Sequence, residues 1–212
     1  MSMKLPKFDA MMRRRIFMAF FGVMLCSFAV GFFRLSNFGT DPYQCLAAGL
    51  SNVIPIGFGN TLTALNCVLL VEVFFLNKRY LGIATLFSVF LTGYVVEFSE
   101  WVLGLTGIEM TLVVRIIYLA IGVVLMCIAS SFYITSNLGV SSYDAQALMI
   151  GDTGKLQFRF ARIGTDLICV LVGFALDATV GIGTLVTAFF MGPLIDLFNR
   201  KLARPFLNRP VR

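Results

Sequence analysis

The residues of this chain that could do chemistry gather in two polar stretches and one apolar run. Ser36, Asn37, Gly39, Thr40 and Asp41 form the first stretch, and Ser136, Asn137, Gly139, Ser141, Ser142 and Asp144 form the second. Hydroxyls, amides and glycine-exposed backbone N–H groups can hold a small solute by hydrogen bonds, so all eleven are candidate substrate-binding residues. Asp166 stands near the middle of the apolar run 160–177, with Arg162 four residues before it and Asn66 at the position 100 residues earlier. The i, i+4 spacing lets Arg162 and Asp166 pair on one helix face, which lowers the cost of burying both charges. A carboxylate at that depth marks either an ion or proton pathway or a structural ion pair. Asn66, Arg162 and Asp166 are therefore the candidate coupling residues.

Other chemistries lack their residues. The chain has no His, which removes His-based acid–base work, Ser-His-Asp and Cys-His arrangements and His-containing metal sites. Cys26, Cys45, Cys67, Cys127 and Cys169 are odd in number, widely spaced and set in apolar runs, so they read as small core hydrophobes. With no phosphate-cradling loop, no metal cluster and no nucleophile beside a base, the sequence predicts no enzyme, no cofactor and no metal.

The elements that must position these residues are membrane helices. Hydrophobic side chains make up 58% of 212 residues and charged ones 13%, with mean hydropathy +0.89. Soluble domains carry roughly 45–50% apolar and about 25% charged residues. The net charge of +6 comes from Lys/Arg clusters outside the apolar segments. It reports topology and contact with anionic lipid head groups rather than nucleic acid.

The chain also repeats itself. Residues 15–43 align without a gap on 115–143, with identities that include Arg15/Arg115, Gly22/Gly122, Ser36/Ser136, Asn37/Asn137, Gly39/Gly139 and Tyr43/Tyr143. After a one-residue slip the match resumes at Gly82/Gly181, Thr85/Thr184 and Gly93/Gly192, and Glu97 falls opposite Asp196. Apolar composition alone does not place Ser, Asn, Gly and Tyr in one register. The expected organisation is a first membrane repeat over 1–105 and a second over 106–212, together one membrane domain.

Each repeat reads as a long apolar segment (16–34; 112–134), a polar stretch with a short apolar piece (42–54; 142–150), and two more long segments (59–76 and 81–99; 160–177 and 181–199). A helix rising 1.5 Å per residue cannot cross a core of about 30 Å with either short piece. The predicted fold is all-α and membrane-integral: six transmembrane helices plus two short re-entrant half-helices. Three crossings per repeat invert the second repeat relative to the first. Asp41 and Ser141 are predicted N-caps, Pro42 the first helical residue, and Ser141 with Asp144 a capping-box-like pair. With both termini cytoplasmic, 15 of the 17 Lys/Arg lie inside and only Arg34 and Arg115 outside. An eight-span arrangement scores 14 against 3, so segment length carries the choice. Arg115 is expected to pair with Glu97, Glu100 or Glu109. Gly22, Gly93, Gly122 and Gly192 are expected at close helix contacts.

The pattern Ser36-Asn37-Phe38-Gly39-Thr40-Asp41-Pro42-Tyr43, then an apolar half-helix, Gly57-x-Gly59, Asn66 and Leu81-Gly82-x-x-Thr85 resembles the YczE/YitT-type bacterial membrane proteins. The resemblance implies a transporter, and Asp41-Pro42 departs from the family's usual small-residue half-helix start. The resemblance and the residues together predict a secondary transporter of a small organic anion or zwitterion in the bacterial inner membrane. Its site would lie between the two re-entrant loops near the midplane. A substrate-binding membrane subunit of a larger uptake complex and a channel are the alternatives. Membrane lipid and a small solute are the expected partners, with homo-oligomerisation open.

Overall fold

The computed structural model describes residues 10–152 and 158–208, and among them every regular element is helical. In chain order these are α1 (Ala10–Ser36), α2 (Pro42–Val53), α3 (Phe58–Leu76), α4 (Ile83–Gly104), α5 (Leu112–Ser136), α6 (Ser142–Asp152), α7 (Phe158–Ala175) and α8 (Ile182–Phe198). A 3₁₀ turn, Lys78–Tyr80, precedes α4, and α8 runs on through a π turn, Asn199–Ala203, into α9 (Arg204–Leu207). Within α1, α3, α4 and α5 lie stretches long and apolar enough to cross a membrane: Met11–Ser36, Phe58–Leu76, Ile83–Gly104 and Leu112–Ser136. Large apolar side chains such as Phe75, Phe174 and Leu112 project outward, as a lipid-facing surface requires. The protein is a membrane protein.

Element boundaries recur at a spacing of 100: α1 and α5 end at Ser36 and Ser136, α2 and α6 begin at Pro42 and Ser142, and α3 and α7 begin at Phe58 and Phe158. The short helices start where the caps predict. Asp41 accepts the Gln44 N–H at 3.2 Å with Pro42 next in the helix, and Ser141 Oγ accepts the Asp144 N–H at 3.1 Å. The Asp144 carboxylate does not complete a capping box; it turns to Arg162.

α1 and α5 pack along each other through small residues. A Cβ added at Gly22 would lie 2.8 Å from the Tyr133 nitrogen, so only glycine permits that backbone approach. Gly93 meets the Gly59 carbonyl in the same way, whereas Gly122 touches the Phe33 ring less tightly; the Gly192 expectation lies outside the described side chains. Ala29, Val30 and Phe33 of α1, Tyr43 and Ala47 of α2, Leu62 of α3, Met126 of α5 and Tyr143 of α6 form one buried core.

Polar contacts sort the molecule into two ends. At one, Arg34 pairs with Glu100 and lies 3.8 Å over the Phe58 ring, Glu97 accepts the Gly59 N–H at 2.7 Å, and Asn52 donates to the carbonyls of Leu176 and Asp177. α4 carries both glutamates and continues to Gly104, past the predicted stop at residue 99. At the other end, the Val140 N–H donates to the Tyr80 carbonyl. Arg115 corrects the expected pairing: its Nε donates to the Met110 carbonyl at 3.1 Å, while Glu100 is taken by Arg34.

Candidate functional site

The two polar stretches dock crosswise. Phe38 O accepts the Gly183 N–H at 2.7 Å, so the loop after α1 seats on the start of α8. Leu138 O accepts the Ala84 N–H at 3.0 Å, so the loop after α5 seats on the start of α4. The matched threonines lie under the matched glycines: a Cβ at Gly39 would fall 2.4 Å from Thr184 Oγ1, and one at Gly139 2.9 Å from Thr85 Oγ1. Both glycines have positive φ, +92° and +103°, which a side chain would strain in addition to the clash. Asn37 and Asn137 supply the preceding left-handed turns, with φ of 55° and 52°. Ser36 and Ser136 donate to the carbonyls of Phe33 and Tyr133 and finish their own helices, and the Thr40 side chain is buried in the first loop. Ser36, Asn37 and Gly39, with Ser136, Asn137 and Gly139, therefore shape two separate docking turns.

What meets between α2 and α6 is a pair of tyrosines. The rings of Tyr43 and Tyr143 stack with centroids 4.6 Å apart and planes 17° from parallel. Each hydroxyl reaches the ninth residue of a long helix. Tyr43 donates to Asn66 Oδ1 of α3 at 2.7 Å, and Tyr143 donates to Asp166 Oδ1 of α7 at 2.5 Å. Ser142 also donates to Asn66 Oδ1, at 3.4 Å. The two bonds are equivalent in position and different in charge, because Asn66 is neutral and Asp166 is an acid.

Arg162 gathers the charged side of this centre. Its Nε lies 3.2 Å from Asp166 Oδ1, its NH1 pairs with Asp144, and its guanidinium sits 4.5 Å over the Tyr143 ring. The predicted Arg162–Asp166 pair is present, and Asp144 joins it across the α6–α7 interface. The three charged side chains stay 18–33% exposed, so the cluster is reachable. One hundred residues earlier, Gln44, Leu62 and Asn66 stand where Asp144, Arg162 and Asp166 stand here. One side of the tyrosine stack is neutral and the other ionic. Two acids pair with one guanidinium.

Sequence reasoning missed Tyr43 and Tyr143 as site residues. Their identity in the 100-residue register was the available signal, but an aromatic in an apolar run reads first as core. It also missed Gln44, 7% exposed, whose Oε1 has no hydrogen-bond partner among the described residues.

Residues 13–200 match the family described as "Family of unknown function (DUF6198)", and the chain belongs to that family. It is 25% identical over 188 residues to the "Uncharacterized protein YyaS" of Bacillus subtilis, covering 89% of this chain and 94% of that one. A Haemophilus influenzae "Uncharacterized protein" is 24% identical over 184 residues, or 87% of this chain and 83% of the relative. The "Uncharacterized membrane protein YczE" of Bacillus subtilis is 24% identical over 135 residues, 64% of this chain and 61% of that protein, in keeping with the YczE-type resemblance. No solved structure matches the chain.

Proposed function

We propose that this protein is a secondary transporter of a small organic anion or zwitterion, of which the zwitterion fits better, in the bacterial inner membrane. In this reading α1, α3, α4, α5, α7 and α8 cross the bilayer, α2 and α6 are re-entrant half-helices, and the halves 1–105 and 106–212 are inverted repeats. Transport is alternating access about the stacked tyrosines, with Asp166 as coupling group. Both termini are cytoplasmic.

One observation carries the reading. Two hydrogen bonds in equivalent places, Tyr43–Asn66 and Tyr143–Asp166, meet across a ring stack at the middle of two long helices, and only one is charged. A purely structural pair of contacts has no need of an acid and a guanidinium at that depth, where charge is costly. Inverted repeats with broken helices are a recurrent way to build a midplane site whose halves rock against each other. The site carries both signs of charge, which suits a zwitterion.

The test begins with a thermal-shift screen of purified protein against small zwitterions and organic anions, since a bound solute stabilises the folded state. The best binder is then followed into proteoliposomes. Asp166→Asn, which copies Asn66, is expected to keep counterflow exchange and to lose uphill uptake driven by a pH gradient. Equal uphill uptake by wild type and variant removes Asp166 from coupling. Solute flux that never exceeds its gradient in the wild type replaces the transporter with a channel, and binding without flux replaces it with a substrate-binding subunit.

A further inference from the structure

We infer that the groove between the starts of α1 and α4 holds one anionic phospholipid, with an acyl chain along Phe17, Phe20 and Phe87 and the phosphate on Arg13. The inference goes beyond the transporter reading and does not depend on it.

The first argument is the shape of the groove. It is open along one side, has a volume of about 520 Å³, and is lined by Arg13, Ile16, Phe17, Phe20 and Phe87. Arg13, Ile16, Phe17 and Phe20 stand at i, i+3, i+4 and i+7, so they share one face of α1, with the guanidinium at the helix start and the rings below it. Phe20 meets Phe87 of α4 edge-on, with ring centroids 5.4 Å apart. Phe17 is 53% exposed yet held on two sides, stacked on Phe21 at 5.8 Å and lying 6.2 Å from Phe206 of α9. Rings already fixed by neighbours lose little further freedom when an acyl chain lies against them. From Arg13 to Phe20 the groove runs about 10 Å along the helix, the reach of the upper part of one chain.

The second argument is charge. Arg13 is exposed and pairs with no described carboxylate, and Asp196, the acid of α8 nearest this end, is taken by Arg200. Arg204 opens α9 beside Phe17, which adds to the positive surplus. An apolar stripe that ends in an unpaired guanidinium matches a lipid chain that ends in a phosphate, and Arg can bind that phosphate through two N–H donors. A zwitterionic head group brings its own cation to the same place and gains less.

The repeat supplies a comparison within one chain. Val113, Ile117, Ala120 and Val186 stand where Arg13, Phe17, Phe20 and Phe87 stand in the first half. There α5 packs on α8 as α1 packs on α4, with aliphatic side chains in these positions. Helix packing therefore does not require the guanidinium or the three rings, which belong to this end alone.

The test places a reporter in the groove. The full-length protein carries Trp101→Phe, which removes its one tryptophan, together with Phe87→Trp, and is reconstituted in dioleoyl phosphatidylcholine bilayers at fixed ionic strength. Part of the lipid is then replaced by phosphatidylglycerol or phosphatidylcholine with dibrominated chains, which quench indole fluorescence on contact. Phosphatidylglycerol is expected to quench at an about fivefold lower mole fraction, the preference that one cation near the membrane surface gives. Arg13→Gln should abolish the difference, whereas Lys201→Gln, which removes the same charge outside the groove, should keep it. Equal quenching by the two lipids overturns the proposal. So does a loss with Lys201→Gln as large as with Arg13→Gln, because the basic surface as a whole would then attract the lipid. Native mass spectrometry of the chain without the tryptophan exchanges, released from neutral maltoside micelles, reads the same preference: phosphatidylglycerol should stay bound where phosphatidylcholine is lost, and Arg13→Gln should erase the distinction. Glycerol phosphate, which has no acyl chains, should not displace the bound phosphatidylglycerol; displacement would replace the lipid with a free anion and sink the proposal.

Discussion

Arg162 is held by two carboxylates and an aromatic face, so removing it leaves Asp144 and Asp166 close together without a counter-charge. Breaking an ion pair by deleting one partner costs more than replacing the whole set with neutral groups. The first half of the chain already contains that neutral set as Gln44, Leu62 and Asn66. Arg162→Leu alone is therefore expected to lose about 1–2 kcal/mol of stability, a figure kept small because the cluster is partly exposed. Adding Asp144→Gln and Asp166→Asn should restore most of the loss while leaving solute binding absent. Thermal unfolding of the single and triple variants, with the same solute titrations, reads both effects. A triple variant less stable than Arg162→Leu would show that the acids stabilise the fold by contacts other than Arg162. Of this cluster, the Arg162–Asp166 pair was legible because both residues lie on one helix at i, i+4. Asp144 was legible only as a polar first-turn residue paired with the Ser141 cap, since its contact with Arg162 is set by how α6 packs on α7 and no local spacing encodes that. The same holds for Arg115, whose nearest acceptor proved to be its own preceding turn.

Among the elements, the docking turns depend on backbone approach more than on side-chain chemistry. A Cβ at Gly139 would stand 2.6 Å from the Gly82 nitrogen, and the residue has φ of +103°. Gly139→Ala must both clash and adopt a strained conformation, so about 2 kcal/mol or more of stability should be lost. Gly164 provides the contrast. It lies inside α7 with nothing within 4 Å of an added Cβ, and Gly164→Ala should gain about 0.5–1 kcal/mol from helix propensity. Melting temperatures moving in opposite directions check the pair; a stabilised Gly139→Ala would mean that the loop does not seat on α4 as described. The starts of α2 and α6 were legible because Asp41-Pro42 and Ser141 are local cap signals. The glycines were legible as backbone positions, but the surfaces they approach were not. Register similarity suggested that the two loops face each other, whereas each one docks on the opposite half's last long helix, a choice made by the complementary glycine and threonine at Gly82/Thr85 and Gly181/Thr184.

At the scale of the whole molecule, the question is whether α2 crosses the membrane, because that decides the orientation of everything after it. A 12-residue helix is about 18 Å long and falls short of the roughly 30 Å core. The contacts at its flanks support the same reading. Arg34, two residues before the end of α1, lies over the ring of Phe58, the first residue of α3, and Asn52 near the end of α2 bonds the chain leaving α7. The chain enters and leaves α2 at one end of the molecule. If α2 does not cross, Lys78 and Arg79 are cytoplasmic and the α4–α5 connection with Glu109 is periplasmic; if it does cross, both assignments reverse. Single cysteines at Lys78→Cys and Gly107→Cys, placed in a chain whose five native cysteines are replaced by Ala or Ser, separate the two cases in intact cells. A membrane-impermeant maleimide is expected to label Gly107→Cys in intact cells and Lys78→Cys only after permeabilisation. The opposite pattern would overturn the arrangement of a non-crossing α2 with a cytoplasmic N-terminus; with that terminus independently placed inside, it would make α2 a crossing and take away the geometric basis for a shared midplane site. The basic residues alone cannot decide between these outcomes, because either arrangement keeps most of the 17 on the cytoplasmic side.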